Sequence, residues 1–366
     1  MADPTAVVML SMGEPNDLDD VRRYFSALLM DRELMQLPMQ KRLSPLMARM
    51  SAPGARRQHA EVGGPRLKGW LERQGEAMVR ALDDLSPATA PHRHYLALRY
   101  SDPSTDATLR RMKADGVRRA VAMPQFPQFS CTTSGSSLNE LWRGVERTGL
   151  HSAFTWSVLD RWYRHPAYVA SMAETVRAGL ADFDAGDRDR VLLLFSAHSM
   201  PMKVINKGDP YPHEIHASVD AIMDELDVPN AYRVSFQSKV GPVPWLGPST
   251  IAAVEKLAGQ GVTKVLVVCV AFTSDHIETL YEIDVDLFRR AEAAGIREIR
   301  RAPAPNVRPA FVTALAEIVA GHLKSGEAAS AQYPVQCLGC DNALCRTVVH
   351  SVAGGYDTTE PTATLR

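Results

Sequence analysis

Residues 192–198 read Leu192-Leu193-Leu194-Phe195-Ser196-Ala197-His198, an apolar run that ends on a histidine. Such a run predicts a buried strand. It continues through the loop Ser199-Met200-Pro201 into an amphipathic helical pattern over Pro212–Glu225. A buried strand followed by a helix is the repeating unit of α/β proteins.

The same alternation of strand and helix patterns extends along the chain in both directions. The predicted strands are Ala6–Ser11, Tyr95–Tyr100, Arg119–Met123, Phe154–Leu159, Arg190–Ser196, Tyr232–Gln237, Lys264–Val270 and Glu298–Ala302. The predicted helices are Arg66–Leu85, Ala107–Asp115, Ser136–Thr148, Ala167–Asp182, Pro212–Glu225, Pro248–Ala258, Ile277–Ala294 and Pro309–Leu323. This order predicts parallel strands joined by right-handed helical crossovers.

The order of elements also indicates an internal duplication. The strand that holds Arg99-Tyr100, the next helix and the strand that leads to Cys131 are matched later by the elements from Tyr232 to His276. We therefore expect two similar Rossmann-like domains, over residues 1–150 and 151–308, with a ligand cleft between the carboxyl ends of their strands. Residues 309–366 are predicted to form a C-terminal helix and an extension, since the composition changes beyond Lys324.

Length and charge limit the classes of function. The 366 residues exceed the usual size of one hydrophobic core and predict two domains. A net charge of −1 predicts no nucleic-acid partner. No apolar run is long enough to span a bilayer, so any membrane contact is expected to be peripheral. No export or transit segment precedes Ala6–Leu10, which predicts a cytoplasmic protein, and a position at the inner face of the cytoplasmic membrane is compatible with this.

His198 is the first candidate for chemistry. It emerges from the carboxyl end of a predicted strand and faces the predicted cleft. An imidazole can take up and release a proton at physiological pH, which suits a general base. The alternative is a histidine that only caps the loop through a hydrogen bond, and the position at the cleft favours the base.

Acidic residues form a second candidate. If a helix begins near Asp275, then Asp275, Glu278, Glu282 and Asp286 are spaced three, four and four residues apart and stack along one helix face. Together with His276 they are suited to relay protons or cations. The alternative is the solvated face of an amphipathic helix, with Asp275 as its N-cap. The start of this row at the end of another apolar strand favours the relay.

The cysteines form a third candidate. Cys337, Cys340 and Cys345 lie on one short loop with the spacing Cys-x2-Cys-x4-Cys, which is too tight for disulfides but suits a metal ion or cluster. Cys131, in a polar turn, is the best fourth ligand, whereas Cys269 lies in an apolar run and is expected to be buried. Thiolate ligation fits an iron–sulfur cluster or structural zinc equally well. The alternative is a set of unrelated reduced cysteines.

Taken together, these segments closely resemble the ferrochelatase family, whose members insert ferrous iron into a porphyrin. The resemblance covers nearly the whole chain. It rests on Met9–Gly13, Leu98–Tyr100, Phe195–Pro201, Gln237–Pro248 and Ala271–Leu280.

The resemblance implies a fold and an activity. The fold would be chelatase-like, and the reaction would insert Fe2+ into protoporphyrin IX to form protohaem with release of two protons. Iron is then a substrate, and no cofactor performs the insertion. His198 would take pyrrole protons, and Glu278, backed by Asp275, His276, Glu282 and Asp286, would conduct protons out or metal in. The positions that match the porphyrin pocket of the family are Met12, Arg99, Tyr100, Val240, Trp245 and Phe272.

The resemblance also implies a cofactor and partners. The cysteines match the branch that carries a 2Fe-2S cluster, with Cys131, Cys337, Cys340 and Cys345 as ligands and a structural or sensing role for the cluster. Leu28–Pro38 resembles the apolar lip that borders the active site and contacts the membrane. Cluster-bearing relatives further suggest a homodimer.

Some positions depart from the family pattern, and the substrate stays open. Glu14 adds a carboxylate beside the pocket, Ala60-Glu61 replaces a basic pair, and Phe126 and Phe129 replace tyrosines. The substrate could instead be coproporphyrin III, although the apolar lip favours protoporphyrin. A chelatase for another tetrapyrrole or metal would also be compatible with these patterns, as would a non-catalytic binding protein.

Overall fold

Eight strands form two parallel sheets of four strands each in the computed structural model, which describes residues 3–34, 39–342 and 345. The first sheet has the order β2-β1-β3-β4 and the second the order β6-β5-β7-β8. The strands are β1 (Thr5–Ser11), β2 (His92–Leu98), β3 (Arg119–Pro124), β4 (Thr155–Val158), β5 (Leu192–His198), β6 (Tyr232–Gln237), β7 (Lys264–Cys269) and β8 (Glu298–Arg301).

The strands agree with the sequence-based prediction within a few residues, and the repeated strand order confirms the duplication of element order. Register is parallel throughout, with Thr5 opposite His92 and Leu193 opposite Tyr232. The α/β fold with two parallel sheets is therefore confirmed. The division at residues 150 and 308 stays a prediction.

Helices connect the strands and cover both sheets. They are α1 (Val21–Met30), α2 (Gln40–Glu61), α3 (Leu67–Leu85), α4 (Thr105–Ala114), α5 (Ser136–Thr148), α6 (Pro166–Ala181), α7 (Met202–Ile205), α8 (Tyr211–Leu226), α9 (Thr250–Gly259), α10 (Ile277–Leu280), α11 (Phe288–Ala294) and α12 (Pro309–Ser325). Within the described ranges, none of them is long and apolar enough to cross a membrane.

Two differences from the predicted helices concern the site. Helices α1 and α2 were not predicted; α2 contains Pro45 and Pro53, which argue against a helix when only the sequence is read. The helix predicted over Ile277–Ala294 is divided, because a π-helical segment over Glu282–Leu287 separates α10 from α11.

One apolar core joins the two sheets. Side chains of β1 and β2, such as Met9 and Leu98, belong to the same buried cluster as Phe195 of β5 and Val268 of β7. Helix α12 packs against both α3 and α6 inside this cluster, with Phe311 1% exposed. Separate clusters cover the outer faces, with α4 and α5 on the first sheet and α9 and α11 on the second. The carboxyl edges of the two sheets are therefore held by shared packing.

Candidate active site

Neighbouring strands of the second sheet deliver the candidate catalytic residues. Strand β5 ends at His198, and β7, its direct partner, leads through a short loop to His276 and Glu278. Since the carboxyl ends of parallel strands meet at one edge of a sheet, these side chains lie together. The structure therefore brings together His198 and Glu278, two candidates that are far apart in the sequence.

The Glu278 carboxylate lies between two imidazoles. Its Oε1 is 3.7 Å from Nε2 of His198, and its Oε2 is 3.5 Å from Nε2 of His276. Each ring contacts a carbonyl through Nδ1, at 2.5 Å from Ser199 O for His198 and at 3.0 Å from Ser274 O for His276. A carbonyl can only accept, so Nδ1 carries a proton in both rings. Nε2 of each ring is left to exchange a proton with Glu278 or with a ligand.

The charges of two histidines lower the pKa of Glu278 by more than burial raises it. Burial alone raises the pKa of this carboxyl, but the His198 and His276 rings lower it well below its usual range. For His276, burial lowers the pKa, and the hydrogen bond and charge of Glu278 more than compensate and raise it. A buried carboxylate that stays ionised between two rings that can carry protons is suited to proton transfer.

The predicted acidic row is only partly formed. The helix begins at Ile277, as predicted, with His276 as its N-cap, so Asp275 lies just before the helix. The carboxylate of Asp275 instead pairs with Arg301 at 3.0 Å and accepts a hydrogen bond from Asn306 at 2.7 Å.

Glu282 and Asp286, the other two members of the predicted row, have different surroundings. Glu282 Oε2 accepts hydrogen bonds from Ser238 Oγ at 2.6 Å and from Gln237 Nε2 at 3.4 Å. Burial, and then the nearby charge of Glu278, raise the pKa of Glu282. Asp286 is 30% exposed and pairs with Arg290 at 3.0 Å. Glu282 is therefore a protonatable carboxyl close to Glu278, and Asp286 is a half-exposed carboxylate paired with an arginine.

The residues expected to line a porphyrin pocket lie on loops after the strand ends of both sheets. Met12 follows β1, Val240 and Trp245 follow β6, and Phe272 follows β7. The Phe272 ring meets the His276 ring edge-on at 4.7 Å, and Trp245 Nε1 donates to the carbonyl of Val240 at 2.9 Å. Val240 is 56% exposed. Apolar and aromatic surface therefore adjoins the histidine–carboxylate cluster.

Arg99 and Tyr100 lie in an ion-pair network after β2. Arg99 Nη2 is 2.5 Å from Asp31 Oδ2 and 2.6 Å from Glu33 Oε2. Tyr100 donates its hydroxyl hydrogen to Asp31 Oδ2 at 2.7 Å. Neither carboxylate was predicted from the sequence, although both lie in the segment that resembles the lip. Residues 28–34 of that segment are described, and residues 35–38 lie outside the described part of the chain.

Glu14, the carboxylate that departs from the family pattern, is buried. Its Oε1 accepts a hydrogen bond from the Leu67 N–H at the start of α3, and its Oε2 has no hydrogen-bond partner among the described residues. Burial raises the pKa of Glu14 to about 7, although the Leu67 N–H and the charge of His276 act against this. The structure thus places a second titratable carboxyl near His276.

The tail cysteines approach Cys131 through the loop before α8. Asp209 of this loop accepts hydrogen bonds from the Cys131 N–H at 2.8 Å and from Ser130 Oγ at 3.0 Å. On the other side, the Gly339 N–H donates to the carbonyl of Lys207 at 2.9 Å. None of the five cysteines forms a disulfide, and Cys269 is buried in β7, as predicted.

The electrostatics of the thiols reflect how close they lie. Burial raises the pKa of Cys131, and Asp209, Cys337 and Cys340 raise it further. Burial also raises the pKa of Cys337 to about 11, with Asp209, Cys340 and Cys345 contributing. Across the described residues, however, no three His, Cys, Asp or Glu side chains are arranged closely enough to hold a metal ion. The donor set fits an iron–sulfur cluster by its chemistry, whereas preformed ligand geometry is absent from this part of the structure.

Two parallel sheets with a histidine–carboxylate cluster at a strand edge define a chelatase-like α/β enzyme. A model of the family Ferrochelatase matches residues 4–323. The chain belongs to the ferrochelatase family.

Similar proteins agree with this assignment. The chain is 45% identical over 343 residues to "Ferrochelatase, mitochondrial" of Xenopus laevis, which covers 93% of this chain and 84% of the relative. It is 44% identical over 344 residues to the protein of the same name from Homo sapiens, with 93% and 81% covered. The solved structure "SirB from Bacillus subtilis with Fe3+" is similar in fold, with a TM-score of 0.51, 9% identity, and 89% and 98% of the chains covered.

These findings confirm the enzyme class and correct the location. The chain is a porphyrin metal-insertion enzyme, a lyase that inserts iron into protoporphyrin in haem biosynthesis. The cytoplasmic location expected from the sequence is wrong, because the relatives from Xenopus laevis, Bos taurus, Homo sapiens and Drosophila melanogaster are all named mitochondrial ferrochelatases.

Proposed function

We propose that His198 is the base that removes pyrrole protons from protoporphyrin IX while Fe2+ enters the ring. The observation that carries this proposal is the Glu278 carboxylate between Nε2 of His198 and Nε2 of His276, at 3.7 and 3.5 Å. A porphyrin carries two pyrrole protons inside a planar ring, and both must leave before iron is bound by four nitrogens. A base with a neighbouring proton acceptor meets that requirement.

Proton removal would proceed from the ring toward solvent. Nε2 of His198 takes a pyrrole proton, and the imidazolium that forms is stabilised by the Glu278 carboxylate. Glu278 then accepts this proton from Nε2 of His198, which restores the neutral imidazole, and passes it to Glu282, whose raised pKa favours the protonated form. Asp286, at the exposed end, releases it to water. The remaining members of the predicted relay would have different roles, because Asp275 is occupied by Arg301 and His276 contacts the second oxygen of Glu278.

The pocket would hold the macrocycle by shape. Met12, Tyr100, Val240, Trp245 and Phe272 supply apolar and aromatic surface, which suits a flat tetrapyrrole. The choice of protoporphyrin over coproporphyrin is supported by exposed apolar side chains in and after the lip, with Met30 38% and Met39 67% exposed. A more carboxylated porphyrin gains less from such surroundings.

The test is an anaerobic assay with Fe2+ in which protoporphyrin IX and coproporphyrin III are offered separately and haem formation is followed by absorbance. We expect faster turnover of protoporphyrin, and loss of at least about a hundredfold in kcat for His198→Ala without loss of thermal stability. The control is His216→Ala, which removes an exposed histidine of α8 whose Nδ1 contacts the carbonyl of Pro212. Normal turnover by His198→Ala would overturn the base assignment, and preference for coproporphyrin would overturn the substrate.

We further propose that Cys131, Cys337, Cys340 and Cys345 bind a 2Fe-2S cluster. Support comes from Asp209, which raises the pKa of both Cys131 and Cys337, and from the charges of Cys337 and Cys340, which raise the pKa of Cys131 further. When bound, the cluster would tie the tail to α5 and the loop before α8, and it would supply no step of the insertion. Ligation would require deprotonation of the thiols, and the pKa values of Cys131 and Cys337 are raised, so cluster binding should release protons.

The cluster has a direct test. Cys340→Ser should lose the visible absorption and bound iron and sulfide of the purified protein, and its melting temperature should fall. Cys269→Ala, which changes the buried cysteine of β7, should keep the cluster. Retention of colour and stability in Cys340→Ser would remove this residue from the ligand set.

We also propose that the protein contacts a membrane peripherally, lies in the mitochondrion and forms a homodimer. Helix α2 exposes Leu46 and Met50, at 54% and 73%, beside the exposed basic residues Lys41, Arg42 and Arg49. Apolar side chains next to basic ones suit the surface of an anionic bilayer. The names of the relatives support the location. Co-sedimentation with anionic and zwitterionic vesicles tests the contact, with Leu46→Asp expected to weaken it, and analytical ultracentrifugation tests the dimer.

A further inference from the structure

The Arg99 guanidinium is enclosed by the protein. Its side chain is only 4% exposed, and Nη2 contacts Asp31 Oδ2 at 2.5 Å and Glu33 Oε2 at 2.6 Å. The resemblance to the family implies that Arg99 meets a substrate carboxylate. In this structure, carboxylates of the protein itself occupy that guanidinium.

Glu33 is the centre of the cluster. Arg143 of α5 binds both of its oxygens, at 3.0 Å for Oε1 and 3.1 Å for Oε2, and Asn139 Nδ2 donates to Oε1 at 2.9 Å. Burial raises the pKa of Glu33, but Arg143 and Arg99 outweigh this effect and hold the pKa below its usual range. One carboxylate thus joins the end of β2 and helix α5 to the segment after α1.

Asp31 gives that segment its shape. Its Oδ1 accepts a hydrogen bond from the Glu33 N–H at 2.8 Å, which forms a local turn, while Oδ2 accepts from the Tyr100 hydroxyl at 2.7 Å. One oxygen of Asp31 therefore stabilises the turn, and the other binds Tyr100 and Arg99. Displacement of Asp31 and Glu33 by a propionate would leave the partly buried Asp31 carboxylate without its cation and Glu33 with Arg143 alone, which is unfavourable.

We propose that Arg99 is a positioning residue that fixes residues 31–34 against the strand edge, and that it acts on the porphyrin only through Tyr100 and this segment. The proposal rests on the proposed function for its effect on catalysis. Direct recognition of a propionate by Arg99 is the competing model. The two models differ in what they predict for Glu33.

If Arg99 binds a propionate, Glu33 is a competitor, and Glu33→Gln should tighten binding of the diacid. If Arg99 is an anchor, Glu33 is its partner. Arg99→Leu and Glu33→Gln should then both weaken porphyrin binding. The double variant should lose less than the two single effects combined, because both substitutions remove the shared Arg99–Glu33 ion pair. Esterification of the two substrate propionates should leave the fold increase in Kd caused by each substitution unchanged.

The experiment measures equilibrium binding of metal-free protoporphyrin IX and of its dimethyl ester by fluorescence quenching in detergent. For Arg99→Leu and Glu33→Gln we expect Kd to rise several-fold for both compounds by the same factor, with Arg99→Lys recovering part of the loss. A drop in Kd for Glu33→Gln, or an effect on the diacid that is at least about fivefold larger than on the ester, would overturn the proposal. Arg56→Leu is the matched control, because its pair with Asp19 at 3.1 Å is exposed.

Limited trypsin digestion provides a readout that needs neither porphyrin nor turnover. Arg32 is exposed between the two anchoring carboxylates. Cleavage after Arg32 should accelerate in Arg99→Leu and Glu33→Gln, and stay unchanged in Arg56→Leu. Glu33→Gln is a smaller change than Arg99→Leu. If the rate of cleavage after Arg32 is unchanged in Glu33→Gln, the proposal that Arg99 and Glu33 fix this segment is wrong, even if the chain binds no porphyrin. Absence of porphyrin binding by the unmodified protein would instead refute the proposed function.

Discussion

Glu278 illustrates how single contacts set the chemistry of a residue. Burial raises the pKa of this half-buried carboxyl, but the imidazoles of His198 and His276 lower the pKa by a larger amount and keep the group ionised. In return, its charge raises the pKa of His276. The reactivity of the site therefore belongs to the three residues as a group.

Glu278→Gln tests this coupling. The amide keeps the size of the side chain but removes its charge, so the pKa of His276 should fall, and kcat should fall by about a hundredfold or more because the proton acceptor is lost. NMR titration of the histidines and the insertion assay measure the two effects. Glu255→Gln, which changes an exposed carboxylate of α9, should alter neither. An unchanged pKa of His276 would contradict the coupling.

Glu14 makes stability depend on pH in a predictable direction. Its pKa is raised to about 7, so the neutral form is favoured in the folded state. The contribution to stability is fully present below the pKa of the unfolded chain, near 4.3, and is lost as pH rises through about 7.

Glu14→Gln should therefore become more stable relative to the unmodified protein as pH rises from 5 to 8. The change should be on the order of 2 kcal/mol, given about 1.4 kcal/mol for each pKa unit. Urea unfolding at both pH values measures it. A difference between the two proteins that stays constant with pH would contradict the assignment.

At the scale of elements, the π-helical segment between α10 and α11 sets which carboxylates line up with Glu278. The Asp286 N–H donates to the carbonyl of Tyr281 at 2.9 Å, five residues back. Compared with a continuous α-helix, the wider turn changes the direction of the side chains that follow. Glu282 consequently meets Ser238, while Asp286 reaches Arg290 at the surface.

Two helix glycines, Gly179 and Gly321, should respond oppositely to substitution by alanine: the free energy of unfolding should fall at the first and rise at the second. A Cβ at Gly179 of α6 would lie 3.0 Å from Ala302 Cα and 2.9 Å from Leu266 Cδ1, whereas a Cβ at Gly321 of α12 would meet nothing within 4 Å. Gly179→Ala should destabilise by about 1–3 kcal/mol through overpacking. Gly321→Ala should stabilise by about 0.5–1 kcal/mol through helix propensity. Chemical denaturation measures both, and equal effects would contradict the packing argument.

At the scale of the whole molecule, the shared core should make the two sheets unfold together. Phe311 of α12 lies in the cluster that contains residues of both sheets. Phe311→Ala should cost about 3–5 kcal/mol, and calorimetry should still show one transition at a lower temperature. Leu46→Ala, at a 54% exposed position, should change stability by less than about 0.5 kcal/mol. Two separate transitions in the unmodified protein would contradict a common core.

Much of the architecture could be predicted because its signals are local. The central strands β1, β3, β5 and β7 contain short apolar runs, and the order of strands and helices implies parallel pairing. Helix α2 could not be predicted, since Pro45 and Pro53 locally disfavour a helix that tertiary packing stabilises. The split of the helix after Ile277 was equally hidden, because an amphipathic pattern does not reveal a change from α to π hydrogen bonding.

For the site, the sequence alone determined which residue types were available: a histidine at a strand end, an acidic row and four cysteines outside the apolar strands. Tertiary structure decided which of them meet. It placed Glu278 between two histidines, joined Asp275 to Arg301, and enclosed Arg99 with Asp31 and Glu33. The physical reason is that charge interactions depend on distance and burial between residues far apart in the chain, and no local pattern records either quantity.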